Sequence, residues 1–293
     1  MNTILKKIGD WHSHNQRCNH AVGELEDYIR AAINKGLGII GLSDHFPTHY
    51  SDLDGTSRLK QFAMDINEVQ DYLNEAVSLK NKYEGTIEVR IGFEVGYLQG
   101  KEEKYFDRVQ DLNGNLDYLI GSVHNFKLDG KYWGIKSKDL NSLMQKYGAE
   151  CIYSKYFHAI ESMLLSDSFE LDILGHLDYI KNGKESTQLN EFIFEKIEDL
   201  VPLIKEKEVG VEINTQGMRN CYNKLYPSKE ILRMLFDYDI PIVLSSDAHN
   251  PADVGCGFEN VIKFMKTLGY SSLLRFDKRT PYFSDFNKAP MFS

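Results

Sequence analysis

Short runs of apolar and β-branched residues alternate along this chain with longer segments whose apolar positions recur at helical spacing. The runs at 8–12, 39–43, 87–93, 118–123, 171–175, 209–213 and 240–245 predict seven strands. Between them, 24–35, 62–82, 138–165, 191–207, 228–236 and 253–268 predict helices. Gly36 stands where a helix commonly ends on a left-handed residue, and Pro227-Ser228 where one commonly begins. No internal repeat or low-complexity linker divides the chain. Repeated βα units with nearly continuous apolar strands predict a parallel α/β sheet, and seven units favour a closed or nearly closed barrel. An open doubly wound sheet is the competing topology. The stretch 126–133, with Asp129-Gly130 at its middle, predicts a hairpin beside His124. The tail after Ser271 carries no motif.

Composition narrows the class. The chain of 293 residues is 42% hydrophobic and 26% charged, enough for a sizeable core in a globular protein. Its apolar runs are too short to cross a bilayer and Lys6-Lys7 precedes no signal-like core, so the expectation is a cytoplasmic protein without a membrane partner. Cys18, Cys151, Cys221 and Cys256 form no Cys-x-x-Cys pair, which argues against a disulfide framework or a thiolate zinc site. A formal charge of -9 without a basic stripe disfavours extended nucleic acid. A small phosphorylated substrate stays compatible, because bound cations reverse the potential inside a cleft.

Placing histidines and acids on the predicted elements brings in the chemistry. Of nine histidines, seven fall at or just after strand ends: His12, His14, His20, His45, His124, His176 and His249. Glu94 and Asp247 close the third and last strands. In a βα barrel those ends meet on one face. Imidazole and carboxylate together bind divalent cations, and a carboxylate can bridge two of them. In His12-Ser13-His14 the side chains two apart point to the same side of an extended segment. Alone that motif is weak; the seven-histidine pattern is what makes a metal site the leading reading. His49, in a loop, reads as a surface residue, and His158, in a helical stretch, as a packed or substrate-side one.

The residues carrying this pattern resemble the polymerase and histidinol phosphatase (PHP) superfamily, in its histidinol-phosphatase branch. The segments are Asp10-Trp11-His12-Ser13-His14, Cys18-Asn19-His20-Ala21, Leu42-Ser43-Asp44-His45, Gly92-Phe93-Glu94 and Gly121-Ser122-Val123-His124. They continue, in consistent order from 10 to 257, with Gly175-His176-Leu177-Asp178-Tyr179-Ile180-Lys181, Glu212-Ile213-Asn214-Thr215 and Ser246-Asp247-Ala248-His249. The resemblance implies a distorted (β/α)7 barrel, one PHP-type domain over 1–293, with three divalent metal ions (zinc, manganese or iron) at its C-terminal face. Carried over, the first metal takes His12, His14, Glu94 and Asp247; the second shares Glu94 and adds His124 and His176; the third takes His20, His45 and His249.

The resemblance also implies hydrolysis of a phosphomonoester, with L-histidinol phosphate, of histidine biosynthesis, as the leading substrate. In the implied mechanism, bound cations would acidify a shared water toward a pKa of about 7 and so supply a metal-bridging hydroxide as the nucleophile. Asp44 is the candidate proton donor to the leaving alkoxide, with orientation of a ligand histidine as its competing role. Arg17, Lys181, Arg219 and Asn223 are the candidate substrate-binding residues, since phosphate oxygens not held by metal call for cationic and polar donors. The alternatives are another phosphoesterase of the superfamily, such as a nucleotide phosphatase, exonuclease or phosphotyrosine phosphatase, and a noncatalytic metal-binding module.

Overall fold

The computed structural model describes residues 4–47, 62–103, 109, 112–136, 138–181, 187–219 and 224–286. Seven parallel strands form one sheet in the order β1 (Gly9–Asp10), β2 (Ile39–Leu42), β3 (Glu88–Gly96), β4 (Tyr118–Ser122), β7 (Ile173–Leu174), β8 (Gly210–Asn214) and β9 (Ile242–Ser245). The last strand returns to the first: Trp11 N–H donates to Leu244 O at 3.2 Å, His14 N–H to Ala248 O at 2.9 Å, and Ser13 bridges Ala248. The sheet is thus a nearly closed, distorted (β/α)7 barrel, as the strand count predicts. Every residue of β2, β4, β8 and β9 is buried, as expected of parallel strands covered on both faces.

Helices α1 (Leu25–Lys35), α2 (Val69–Lys82), α3 (Leu140–Tyr147), α4 (Ala149–Leu165), α5 (Thr187–Glu206), α6 (Lys229–Asp237) and α7 (Phe258–Leu268) connect the strands. The sequence of α1 dictates its course. Leu25, Tyr28, Ile29 and Ala32 make one buried stripe at i, i+3, i+4 and i+7, a Glu24–Asp27 capping box starts the helix, and Gly36 ends it at φ 77°. Four predicted helices differ in extent, the segment 191–207 beginning earlier, at Thr187. The segment 138–165 is two helices, because Gly148 sits at φ 86°, ψ 144°. The segment 62–82 becomes helical only after a 3₁₀ turn capped by Asp65, and 253–268 only after Gly255 and Gly257 turn the chain at positive φ.

The predicted hairpin is present as β5 (Asn125–Leu128) and β6 (Lys131–Gly134), turning at Asp129-Gly130 with φ 50° and 76°. The tail that carries no readable motif forms a second hairpin, β10 (Ser272–Asp277) and β11 (Thr280–Asp285). Its Leu274 and Phe276 complete a buried cluster with Trp11, Ile39, Tyr118 and Val243. Arg279 N–H donates to Asp117 O and its side chain pairs with Asp172, both just before strands. The hairpin therefore closes the N-terminal end of the barrel. The interior is tight: a Cβ on Gly41 would collide with Tyr118 Oη, whose hydroxyl donates to Trp11 O at 2.7 Å. Among the described residues no helix is long and apolar enough to cross a membrane.

Candidate metal centre

All nine predicted ligands converge at the opposite, C-terminal end. Glu94 is their hub. Its Oε2 lies 2.7 Å from His45 Nδ1, 3.3 Å from His12 Nε2 and 3.6 Å from His14 Nε2, while Oε1 lies 3.1 Å from His176 Nε2 and 3.3 Å from His124 Nε2. Asp247 Oδ1 is 3.2 Å from His14 Nε2 and 3.9 Å from His12 Nε2. Glu94 lies within β3 rather than beyond it, bridged to His45 on the neighbouring chain segment. The cluster is graded in depth: His12, His14, Glu94, His176 and Asp247 are buried, His45, His124 and His249 partly so, and His20 is exposed at the mouth.

The donor atoms fit divalent cations better than they fit one another. Nε2 of His12, Nε2 of His14 and Oε2 of Glu94 are buried without a hydrogen-bond partner. At the mouth, His20 Nδ1–H donates to Cys18 O at 2.9 Å and His249 Nδ1–H to Asp247 O at 3.0 Å, which leaves lone pairs on both Nε2 atoms, 2.9 Å apart. Facing lone pairs repel unless a cation lies between them. Ligand atoms each about 2.0–2.2 Å from one ion are spaced roughly 3–3.5 Å from each other, which matches these separations. Compact triads occur at His12/His14/Asp247, His14/His45/His249 and His45/Glu94/His124.

Electrostatics follow the same division. Burial opposes positive charge on His12, but Glu212, Asp247 and Glu94 outweigh it and raise its pKa well above the usual value, a negative field that equally favours a cation at Nε2. His14 is likewise pushed up to about 9 against burial, by Asp247 and Asp44. The surrounding histidines keep Glu94 and Asp247 well below the usual carboxylate range despite burial. Burial lowers His45, His124 and His20, and His249 to about 3, so these stay neutral and ready to coordinate.

The supporting shell contains a residue that sequence reasoning left without a role. Glu212, fully buried on β8, accepts from His12 Nδ1–H at 2.6 Å through Oε1 and from His176 N–H at 2.7 Å through Oε2. Its one signal in the sequence is a carboxylate in the otherwise apolar run Val211-Glu212-Ile213. Asp44 proves to be of the same kind. It is fully buried, accepts from His45 N–H at 2.8 Å and faces His14 Nδ1 at 3.3 Å, whereas Nε2 of that ring faces Glu94 and Asp247. That contact suits the competing role of orienting a ligand histidine, while its Oδ2 is buried without a hydrogen-bond partner.

The predicted cations are less uniform. Arg17 pairs with Glu75 at 2.7 Å, and its Nη1 is buried without a partner. Lys181 is buried against Asp178 at 2.7 Å. Arg219 donates to Ser246 O at 2.6 Å and Asp247 O at 2.9 Å, holding the backbone of a ligand that sits at φ 52°. Its fork is thus engaged with the protein. Asn223 and His49 lie outside the described residues. His158 is exposed on α4 and paired with Glu161 at 3.1 Å, so it is not packed.

A parallel seven-stranded barrel with a His/Glu/Asp cluster at its C-terminal end defines the class, and the chain belongs to the PHP domain family, whose model matches residues 10–216. It is similar to histidinol-phosphatase of Bacillus subtilis, 29% identical over 261 residues that cover 85% of this chain and 96% of that one. It is also similar to histidinol-phosphatase of Saccharomyces cerevisiae, 21% identical over 300 residues covering 87% and 88%. Among solved structures it resembles histidinol phosphate phosphatase of Lactococcus lactis, complexed with zinc, L-histidinol and phosphate. The TM-score is 0.75 at 18% identity, covering 94% of this chain and 99% of that one, a likeness of fold.

Proposed function

We propose that this protein is a metal-dependent phosphomonoesterase that hydrolyses L-histidinol phosphate to L-histidinol and phosphate, working as one domain over 1–293. The observation that carries the proposal is Glu94, one buried carboxylate within 3.6 Å of five imidazoles. The names of the relatives supply the substrate.

Three ions fit the nine donors: one with His12, His14, Glu94 and Asp247, a second with Glu94, His124 and His176, a third with His20, His45 and His249. Zinc, manganese and iron all accept this donor set. Bound there, the ions would acidify a water toward neutral pKa and offset the charge of the phosphate oxygens. The chain's own residues do the positioning. Glu212 fixes the His12 ring through Nδ1, Asp44 backs His14, and Arg219 fixes the backbone of Asp247. Arg17, with a buried and unpartnered Nη1, has a donor to offer a phosphate oxygen.

The test is a substrate panel on zinc- and manganese-loaded protein. Phosphate release from L-histidinol phosphate should far exceed that from AMP and phosphotyrosine; equal rates on all three would refute the substrate assignment. In parallel, Glu94→Gln should lose both bound metal and turnover, and retained activity would remove Glu94 from its bridging role.

A further inference from the structure

The cations discussed so far are largely committed to protein partners: Arg17 to Glu75, Lys181 to Asp178, Arg219 to two carbonyls. Lys136 differs. It follows the β5–β6 hairpin, and the chain there is pinned to the metal centre because Ile135 N–H donates to His124 O at 3.0 Å. Its Nζ stands 4.5 Å from the centroid of the Tyr179 ring, and that ring stacks on His176 with centroids 4.3 Å apart. Tyr179 is itself held, its hydroxyl donating to Gln216 at 2.7 Å and its ring packed edge-on against Tyr226. Among the described residues the ammonium makes no ion pair or hydrogen bond; it lies over the Tyr179 ring.

From this geometry we infer that Lys136 is a substrate-binding residue, an ammonium clamp for a phosphoryl oxygen at the rim of the His124/His176 side of the cluster. The inference rests on the phosphomonoesterase reading for its ligand class, not on which ester is hydrolysed. An ammonium parked on an aromatic face is held by a modest attraction that exchanges readily for a charge-assisted hydrogen bond to an anion. Desolvation lowers the pKa of this ammonium, and the charges of Asp247 and Glu94 oppose that shift. Pairing with the acids is not what keeps it in place, since they are engaged by the histidines. The residue also escaped the sequence reading, because Lys136 sits in a loop of mixed composition and only the hairpin's return brings it beside Tyr179.

The experiment measures binding of inorganic phosphate to metal-loaded full-length protein by calorimetry, with metal content measured on the same samples. Lys136→Met should raise the dissociation constant about tenfold to a hundredfold with metal content and melting temperature unchanged, and Lys136→Arg should restore most of the binding. Lys131→Met, at the exposed first residue of β6, is the control for unspecific loss of charge. An unchanged dissociation constant in Lys136→Met would overturn the assignment, as would equal weakening in Lys131→Met or a parallel loss of metal. If the parent protein fails to turn over L-histidinol phosphate while phosphate binding still depends on Lys136, the clamp stands and only the substrate assignment falls.

Discussion

His12 Nδ1 and Glu212 Oε1 are 2.6 Å apart, both fully buried, His12 just past β1 and Glu212 on β8, strands that do not pair with each other. An acceptor-only carboxylate fixes the ring's proton on Nδ1 and aims Nε2 at Glu94 and Asp247. Glu212→Gln should therefore weaken metal binding about tenfold to a hundredfold without altering the fold. Titration with a graded chelator, followed by metal analysis, reads this directly. Unchanged retention would mean that His12 is oriented by packing alone.

Arg219 offers a sharper contrast. A residue that only bound substrate would raise KM and leave metal content intact when removed. Because both terminal nitrogens hold the carbonyls of Ser246 and Asp247, Arg219→Ala should lose metal first, with turnover recovering at high added metal. A rise in KM at full metal occupancy would instead return Arg219 to substrate binding.

At the other end of the barrel, burial raises the pKa of Asp172 to about 6 despite its pairing with Arg279. A carboxyl whose folded pKa exceeds its unfolded value of 3.8 binds more protons in the folded state between those limits. Its contribution to stability is thus greatest at low pH and is lost as pH rises from about 4 to about 6. In metal-stripped protein, where the ligand cluster is common to both chains, the melting temperature of the parent should decline relative to Asp172→Asn across that window. Parallel curves would show that the ionised carboxylate is fully compensated.

Phe276 is 2% exposed and packs edge-on against Trp11 at 5.8 Å. Phe276→Ala should cost about 3–5 kcal/mol, lowering the melting temperature by on the order of 10 °C. Since the ring lies at the floor and the ligands at the mouth, protein that remains folded should retain its metal. A neutral substitution would mean that the hairpin is not part of the core.

The contrast between mouth and floor also explains what the sequence made legible. Strands such as Ile39–Leu42 and Ile242–Ser245 are readable because parallel strands are buried on both faces and so leave unbroken apolar runs. Histidines at their ends then map to one face by topology alone. The β10–β11 hairpin is not readable, because its turn is Lys278-Arg279, with φ 49° and 63°, where glycine or asparagine would normally announce it. Glu212 and Asp44 show a different limit. A buried acid's role depends on which nitrogen of which ring it faces, and that is settled by three-dimensional packing of residues 200 and 30 positions away.

The floor hairpin has a consequence for the order of events in the cell. During synthesis β10 and β11 are the last of the described elements to leave the ribosome, yet Phe276 supports Trp11, the residue immediately before the first ligand. A partly translated chain can therefore carry every histidine of the cluster and still lack the floor against which the strand bearing His12 and His14 is set.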